Sequence, residues 1–298
     1  MTAGGPGDGG RDGPVSTARR VLVTGGGTGI GAAVAGALTA GGGQVVICGR
    51  RPEPLAAVAE RTGARPVTCD IADPGAAGQL VQRAAAELGG LDGLVLNAGV
   101  MYPGGVADLS AADFAAMVSV NLTGAYAVAR AALPHLLASR GAVVSVASIA
   151  ALRAASGMGG YAATKAGLAM LTQSLAVDHA HQGLRANAVC PGWTITEMAD
   201  EEMAAFGAER GLSAARAYEL VTALVPQRRP ASAGEVAAVV CWLLSDAASY
   251  VNGAVIPVDG SGGAVDVGTI AFDPRVQLRP DPPGQSPGPP PGQSPGAR

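Results

Sequence analysis

Two residues four apart in this chain could move a proton. Tyr161 and Lys165 are separated by Ala-Ala-Thr. On a helix that spacing puts both side chains on one face. An ammonium beside a phenol favours the phenolate and lowers its pKa from about 10. A phenol so tuned can give or take a proton near neutral pH. The pair alone is a common chance pattern, so its surroundings must decide whether it is used.

A second cluster could hold phosphate. Thr24-Gly25-Gly26-Gly27-Thr28-Gly29-Ile30-Gly31 follows a short apolar run and opens a helical one. Glycines let the backbone turn sharply and approach a pyrophosphate, and the helix N-terminus offers free N–H groups and a positive dipole end. In a chain with 45 glycines the run itself says little. Its place, between the first strand and the first helix of an alternating series, points to a dinucleotide. At the end of the second strand a carboxylate would accept hydrogen bonds from the ribose 2′-OH of NAD. Cys48-Gly49-Arg50-Arg51 stands there instead. Arginine pairs bidentately with phosphate, so NADP is favoured over NAD as cofactor. A solvated turn is the plain alternative for the two arginines.

The elements that must position these groups alternate. Apolar runs at 19–25, 44–49, 66–71, 91–99, 141–150, 184–192 and 253–260 read as seven strands. Helical stretches fall between them, at 29–42, 54–63, 74–88, 110–138, 159–181, 197–222 and 233–246. Strands apolar throughout and separated by helices mean a parallel sheet covered on both faces. Right-handed crossovers make it a doubly wound, Rossmann-like α/β fold. No linker interrupts residues 19–265, which read as one domain. Residues 1–18 and the Pro/Gly-rich 266–298, with its repeated PPGQSPG, read as disordered tails.

Composition narrows the partners. The chain has 298 residues, 48% hydrophobic, and a net charge of -3, enough for one large core. That charge gives no basic footprint for nucleic acid or an anionic membrane. The N-terminus has no apolar segment of a signal peptide, and no apolar run suggests a membrane span. Four widely spaced cysteines point to a reducing compartment. A cytoplasmic enzyme of small molecules is the expectation. His179 and His181 lack further ligands nearby in sequence, and a solvated helix end explains them. Met198, Met203, Phe206 and Tyr218 lie in a stretch that could lid a substrate or simply pack.

With these residues in view, the chain resembles the short-chain dehydrogenase/reductase superfamily, in its short single-domain branch and in the general manner of 3-oxoacyl carrier-protein reductases. The likeness covers residues 20–262. TGGGTGIG at 24–31 resembles the family's TGxxxGxG. Cys69-Asp70-Ile71 resembles the adenine-contacting segment, and Asn97-Ala98-Gly99 the NAG ending the fourth strand. Asn121 resembles the active-site helix asparagine. Ser148 precedes Tyr161 by the family's usual gap. Pro191-Gly192, with Thr194 and Thr196, resembles the segment capping nicotinamide and pyrophosphate.

The resemblance implies a catalytic set of Asn121, Ser148, Tyr161 and Lys165. Tyr161 is then the general acid of reduction and general base of oxidation. Lys165 lowers its pKa and holds the nicotinamide ribose, Ser148 binds the substrate oxygen, and Asn121 holds a relay water. The substrate is a small or medium-sized carbonyl or alcohol. A homotetramer is also implied. Two departures stand out: Leu96 replaces the first Asn of NNAG, and the last strand ends in Ser261 where the family has Gly. The competing reading is a catalytically silent dinucleotide-binding regulator or scaffold on the same fold.

Overall fold

The computed structural model describes residues 19–273. Seven strands form one parallel sheet: β1 (Arg20–Thr24), β2 (Gln44–Gly49), β3 (Arg65–Thr68), β4 (Gly93–Leu96), β5 (Ala142–Val146), β6 (Arg185–Pro191) and β9 (Val255–Val258). Their order is β3-β2-β1-β4-β5-β6-β9. The order reverses between β1 and β4, and at such a point the C-terminal strand ends open a crevice. A pair missed in the sequence, β7 (Thr194–Ile195) and β8 (Ala231–Ser232), forms a separate two-stranded sheet.

The central strands are apolar nearly throughout because they face two cores, whereas the edge strand β3 is largely exposed. Leu22, Leu94 and Leu96 enter one core with α3 (Pro74–Leu88), α5 (Ala125–Ser139) and α6 (Gly159–His179). Val21, Val23 and Val95 enter the other with α1 (Gly29–Ala40), α2 (Pro52–Thr62) and α9 (Ala233–Leu244). Leu96 is 2% exposed, so this departure from the family pattern is a packed core side chain. Ser261 has φ +70, a conformation that favours glycine, and its side chain strains the turn after β9.

Several expected elements are shorter or broken. The strands expected at 66–71, 91–99 and 141–150 stop at Thr68, Leu96 and Val146, because their ends peel away to line the crevice. The helix expected at 197–222 is two, α7 (Glu197–Ala208) and α8 (Ala214–Val221). The stretch expected at 110–138 is helical throughout, but α4 (Ala111–Val118) meets α5 through a π-helical turn at Ser119–Gly124. By length and apolarity Ala111–Ser139 could cross a bilayer, contrary to the sequence reading. Here Met117, Gly124, Val128, Ala132 and Leu136 bury one of its faces within the fold.

The compact unit holding the sheet ends at Gly263, and a second begins at Ala264. Within the latter, Val267–Phe272 forms 3-10 turns. Residues 1–18 and the repeated proline element lie outside the described residues.

Candidate active site

The glycine turn is built to let something approach. Gly25 and Gly29 have φ of +65 and +52. A Cβ on Gly25 would lie 2.8 Å from Asn97 Nδ2, and one on Gly31 would overlap the Gly25 carbonyl. Asn97 braces this turn, donating to the Thr24 and Gly25 carbonyls at 3.0 Å each. The buried Thr24 hydroxyl accepts from the amides of Asn97 and Ala98, at 2.9 and 3.1 Å. Thr24 and Asn97, expected at the cofactor, thus hold the turn rather than offer free groups. Thr28 precedes α1 without capping it, so the helix N-terminus keeps its free donors. Ile30 packs its side chain into the core beneath.

A cleft opens beside that turn. Gly25, Gly27, Thr28, Arg50, Arg51, Asp70, Ile71, Ala98 and Gly99 line it. The sequence reading named all nine. A turn that only Gly can make, an uncapped helix N-terminus and a guanidinium unpaired among the described residues fit the phosphates of a dinucleotide. The two arginines differ, however. Arg50 is exposed in the cleft wall. Arg51 is bound bidentately by Glu197 of α7, one contact at 2.8 Å.

The catalytic candidates converge where β4, β5 and β6 end. Tyr161 and Lys165 share one face of α6, with Lys165 Nζ 5.7 Å from the centre of the Tyr161 ring. Lys165 is buried and donates to the Val146 carbonyl at 2.8 Å. Burial pushes it down to about 8. Burial also pushes Tyr161 up to about 12, although the Ser148 hydroxyl acts against the rise. The lowering expected from the lysine does not set the direction; desolvation does, and the opposing influence comes from Ser148.

Asn121 sits in the π-helical turn, wholly buried. Its amide group donates to the Val100 carbonyl and to Thr164 Oγ1, at 2.9 and 3.0 Å. Its Oδ1 accepts from the Val100 amide at 2.8 Å. Thr164 in turn donates to the Tyr161 carbonyl at 2.8 Å. A π-turn places one side chain where a regular helix would not, and it recurs at functional sites. Gly99 lies against both Asn121 and Lys165: a Cβ there would be 3.3 Å from Oδ1 of one and Nζ of the other. Thus Asn121, Ser148, Tyr161 and Lys165, scattered over 45 residues of sequence, come together as one group.

The segment after β6 reaches back over the turn. Gly192 passes close to β9, since a Cβ would stand 3.0 Å from the Asp259 Cα. Thr194 is buried and donates to the Gly192 carbonyl at 3.1 Å. Thr196 caps α7 by accepting from the Ala199 amide, and its methyl lies against Gly29. Trp193 packs with Ala199, Met203, Ala217, Tyr218 and Phe206 in a small core shared by α7 and α8. Tyr218 Oη donates to Asp200 at 2.9 Å. Met203, Phe206 and Tyr218 therefore pack into a core of their own, and Met198 stays exposed.

Comparison with known proteins places this geometry. A family model described as enoyl-(acyl carrier protein) reductase matches residues 25–262. A protein named MoaE from Klebsiella aerogenes is 43% identical over 86% of this chain and 99% of its own length. The chain is a short-chain dehydrogenase/reductase. Meso-2,3-butanediol dehydrogenase from Serratia marcescens is 35% identical over 83% of this chain and 95% of its own. The crystal structure of an actinorhodin polyketide ketoreductase variant with NADPH superposes with a TM-score of 0.79. It is 30% identical and covers 83% of this chain and 98% of that one. The protein is thus a nicotinamide-dependent oxidoreductase working between secondary alcohols and ketones. The silent-scaffold reading finds no support among these relatives.

Three groups that hydrogen-bond Asn121 or Lys165 were missed in the sequence: Val100, Thr164 and the Val146 carbonyl. Val100 and Val146 act through backbone groups, which carry no residue signature. Thr164 lies inside the Tyr161–Lys165 spacing and could have been noticed there.

Proposed function

We propose that the protein is an NADP-preferring ketoreductase with Tyr161 as its proton donor. The observation that carries this is the Tyr161–Lys165 pair, half-buried at the tyrosine and buried at the lysine, tied through Thr164 and Asn121 to the loop after β4. A bound nicotinamide would supply the hydride. Tyr161 Oη gives its proton to the carbonyl oxygen in reduction and recovers it from the alcohol in oxidation. Ser148 hydrogen-bonds the same oxygen and steadies its developing charge. Lys165 orients the ribose hydroxyls and, with its pKa near 8, exchanges a proton close to neutral pH. Both amide protons of Asn121 bond to protein, so a relay water would be held by its oxygen.

Gly25, Gly27, Gly29 and Gly31, with the α1 N-terminus, cradle the pyrophosphate. Asp70 and Ile71 flank the adenine. Pro191, Gly192, Thr194 and Thr196 close over the nicotinamide side. Arg50 takes the 2′-phosphate that distinguishes NADP. Glu202 of the lid is half-buried, and burial raises its carboxyl pKa. It acts on Tyr161 through space. A carboxylate so placed favours a neutral or hydroxyl-bearing ketone over an anionic one. The protein is further proposed to work in the cytoplasm, as a homotetramer, without membrane or nucleic-acid partners.

Titration with NADPH and separately with NADH, followed by nicotinamide fluorescence, tests the reading. NADPH should bind about tenfold tighter, and a neutral diketone should then be reduced. Tighter NADH would reverse the cofactor assignment. Binding of neither would remove the enzyme reading.

A further inference from the structure

The adjacent arginines after β2 are alike in sequence and unlike in place. Arg51 is engaged at both ends of its guanidinium by the Glu197 carboxylate, with the Nη1–Oε1 contact at 2.8 Å. Hydrogen bonds from Arg51 hold the Glu197 carboxyl below its ordinary range, and the Thr28 hydroxyl adds to this. Glu197 is the first residue of α7. Thr196, just before it, lies against Gly29, where a Cβ would be 3.0 Å from its Cγ2. The lid is therefore fastened at its first turn to the phosphate turn and to the end of β2. Glu53 and Glu201 also act on Arg51, so the surroundings of its charge are acidic. Arg50 lines the same cleft and has no hydrogen bond or ion pair among the described residues.

We propose that Glu197 is a cofactor-specificity residue, holding Arg51 in a clip between lid and cleft and so leaving Arg50 as the single guanidinium for a 2′-phosphate. The inference rests on the nicotinamide reading above. One guanidinium cannot pair bidentately with a carboxylate and a phosphate along the same edge. While Glu197 keeps Arg51, an incoming 2′-phosphate meets one free cation with three carboxylates close by. A 2′-hydroxyl is almost indifferent to that balance. Removing the Glu197 charge frees Arg51 and should help NADPH far more than NADH. A carboxylate that only supported the lid would affect both cofactors alike.

The ion pair is exposed on both sides, at 56% and 42% of the side chains, so its exchange for another anion costs little. The test uses the full chain as wild type, Glu197→Gln, Arg51→Gln and the double variant. Dissociation constants for NADPH and NADH are read by nicotinamide fluorescence. Hydrogen exchange of the cofactor-free proteins reports the first turn of α7. Glu197→Gln should raise the preference for NADPH over NADH about fivefold or more. Arg51→Gln should leave the ratio within about twofold of wild type, and the double variant should lose the gain. Both single variants should speed exchange at the start of α7.

An unchanged ratio in Glu197→Gln would overturn the inference. So would a large fall in NADPH preference in Arg51→Gln, since Arg51 would then already serve the phosphate. Unchanged exchange in α7 would remove the clip. A wild type that prefers NADH leaves the expected shift in Glu197→Gln intact and corrects only the cofactor assignment. A wild type that binds neither cofactor removes the function and the inference with it.

Discussion

The two sides of the cofactor cleft are held by different physics. On the catalytic side, Asn121 is wholly buried and Lys165 is 3% exposed, and both bond to backbone groups of neighbouring loops and strands. On the outer side, Arg51 and Glu197 pair at 56% and 42% exposure, and Arg50 has no partner among the described residues. A buried polar group without a partner forfeits its hydration, so the inner network has one low-energy arrangement. Solvent can replace either partner of the outer pair, so that arrangement is cheap to change. The proposed chemistry, which needs fixed geometry, lies on the first side. The proposed recognition of the 2′-phosphate, which can be retuned, lies on the second.

The contrast predicts how substitutions divide. Tyr161→Phe should have the largest effect, lowering kcat by about a thousandfold or more while cofactor dissociation constants stay within about twofold. Steady-state kinetics beside a fluorescence titration would check this, and substantial residual turnover would remove Tyr161 as proton donor.

Asn121→Ala should strike stability as well as rate. It strands the Val100 amide and carbonyl and removes the donor to Thr164 Oγ1, at a cost of about 3 kcal/mol. Urea denaturation would measure the loss. A change under about 0.5 kcal/mol would mean that the inner side is as tolerant as the outer one.

Lys165 gives the contrast a pH signature. Burial takes it from 10.5 down to about 8. Between those values the unfolded chain binds more protons than the folded one, so this group's contribution to stability rises with pH. Below that window its contribution is constant and unfavourable. Wild type should therefore gain on Lys165→Met between about pH 8 and 9.5, by up to about 2 kcal/mol. Denaturation curves for both at several pH values would show the gap moving, and a fixed gap would mean that the ammonium is solvated.

On the outer side, Arg50→Asp should do least to the protein and still be visible. NADPH binding should weaken about tenfold relative to NADH, with melting temperature within a degree or two. An equal loss for both cofactors would mean that Arg50 shapes the cleft rather than reads a phosphate.

Much of this was legible in one dimension. Alternating apolar runs gave the parallel sheet, since strands buried on both faces carry no polar alternation. Turns were legible where glycine is obligatory, as at Gly25 and Gly29. The helix spacing of Tyr161 and Lys165 held. Less legible was the broken lid, because α7 and α8 meet only through their own small core. The π-turn at Asn121 left no mark, because it differs from an α-helix by one hydrogen-bond step that many sequences can take.

The sequence by itself determined the family, the sheet and which side chains are the candidates for the chemistry, because periodicity, glycine requirements and local spacing are properties of neighbouring residues. Tertiary structure alone decided the rest. It made Asn97 and Thr24 braces of the phosphate turn. It let burial rather than Lys165 dominate the Tyr161 phenol. It separated two adjacent arginines by giving one of them to Glu197, 146 residues along the chain. Each of these depends on distances between segments remote in sequence, and on the water their packing removes.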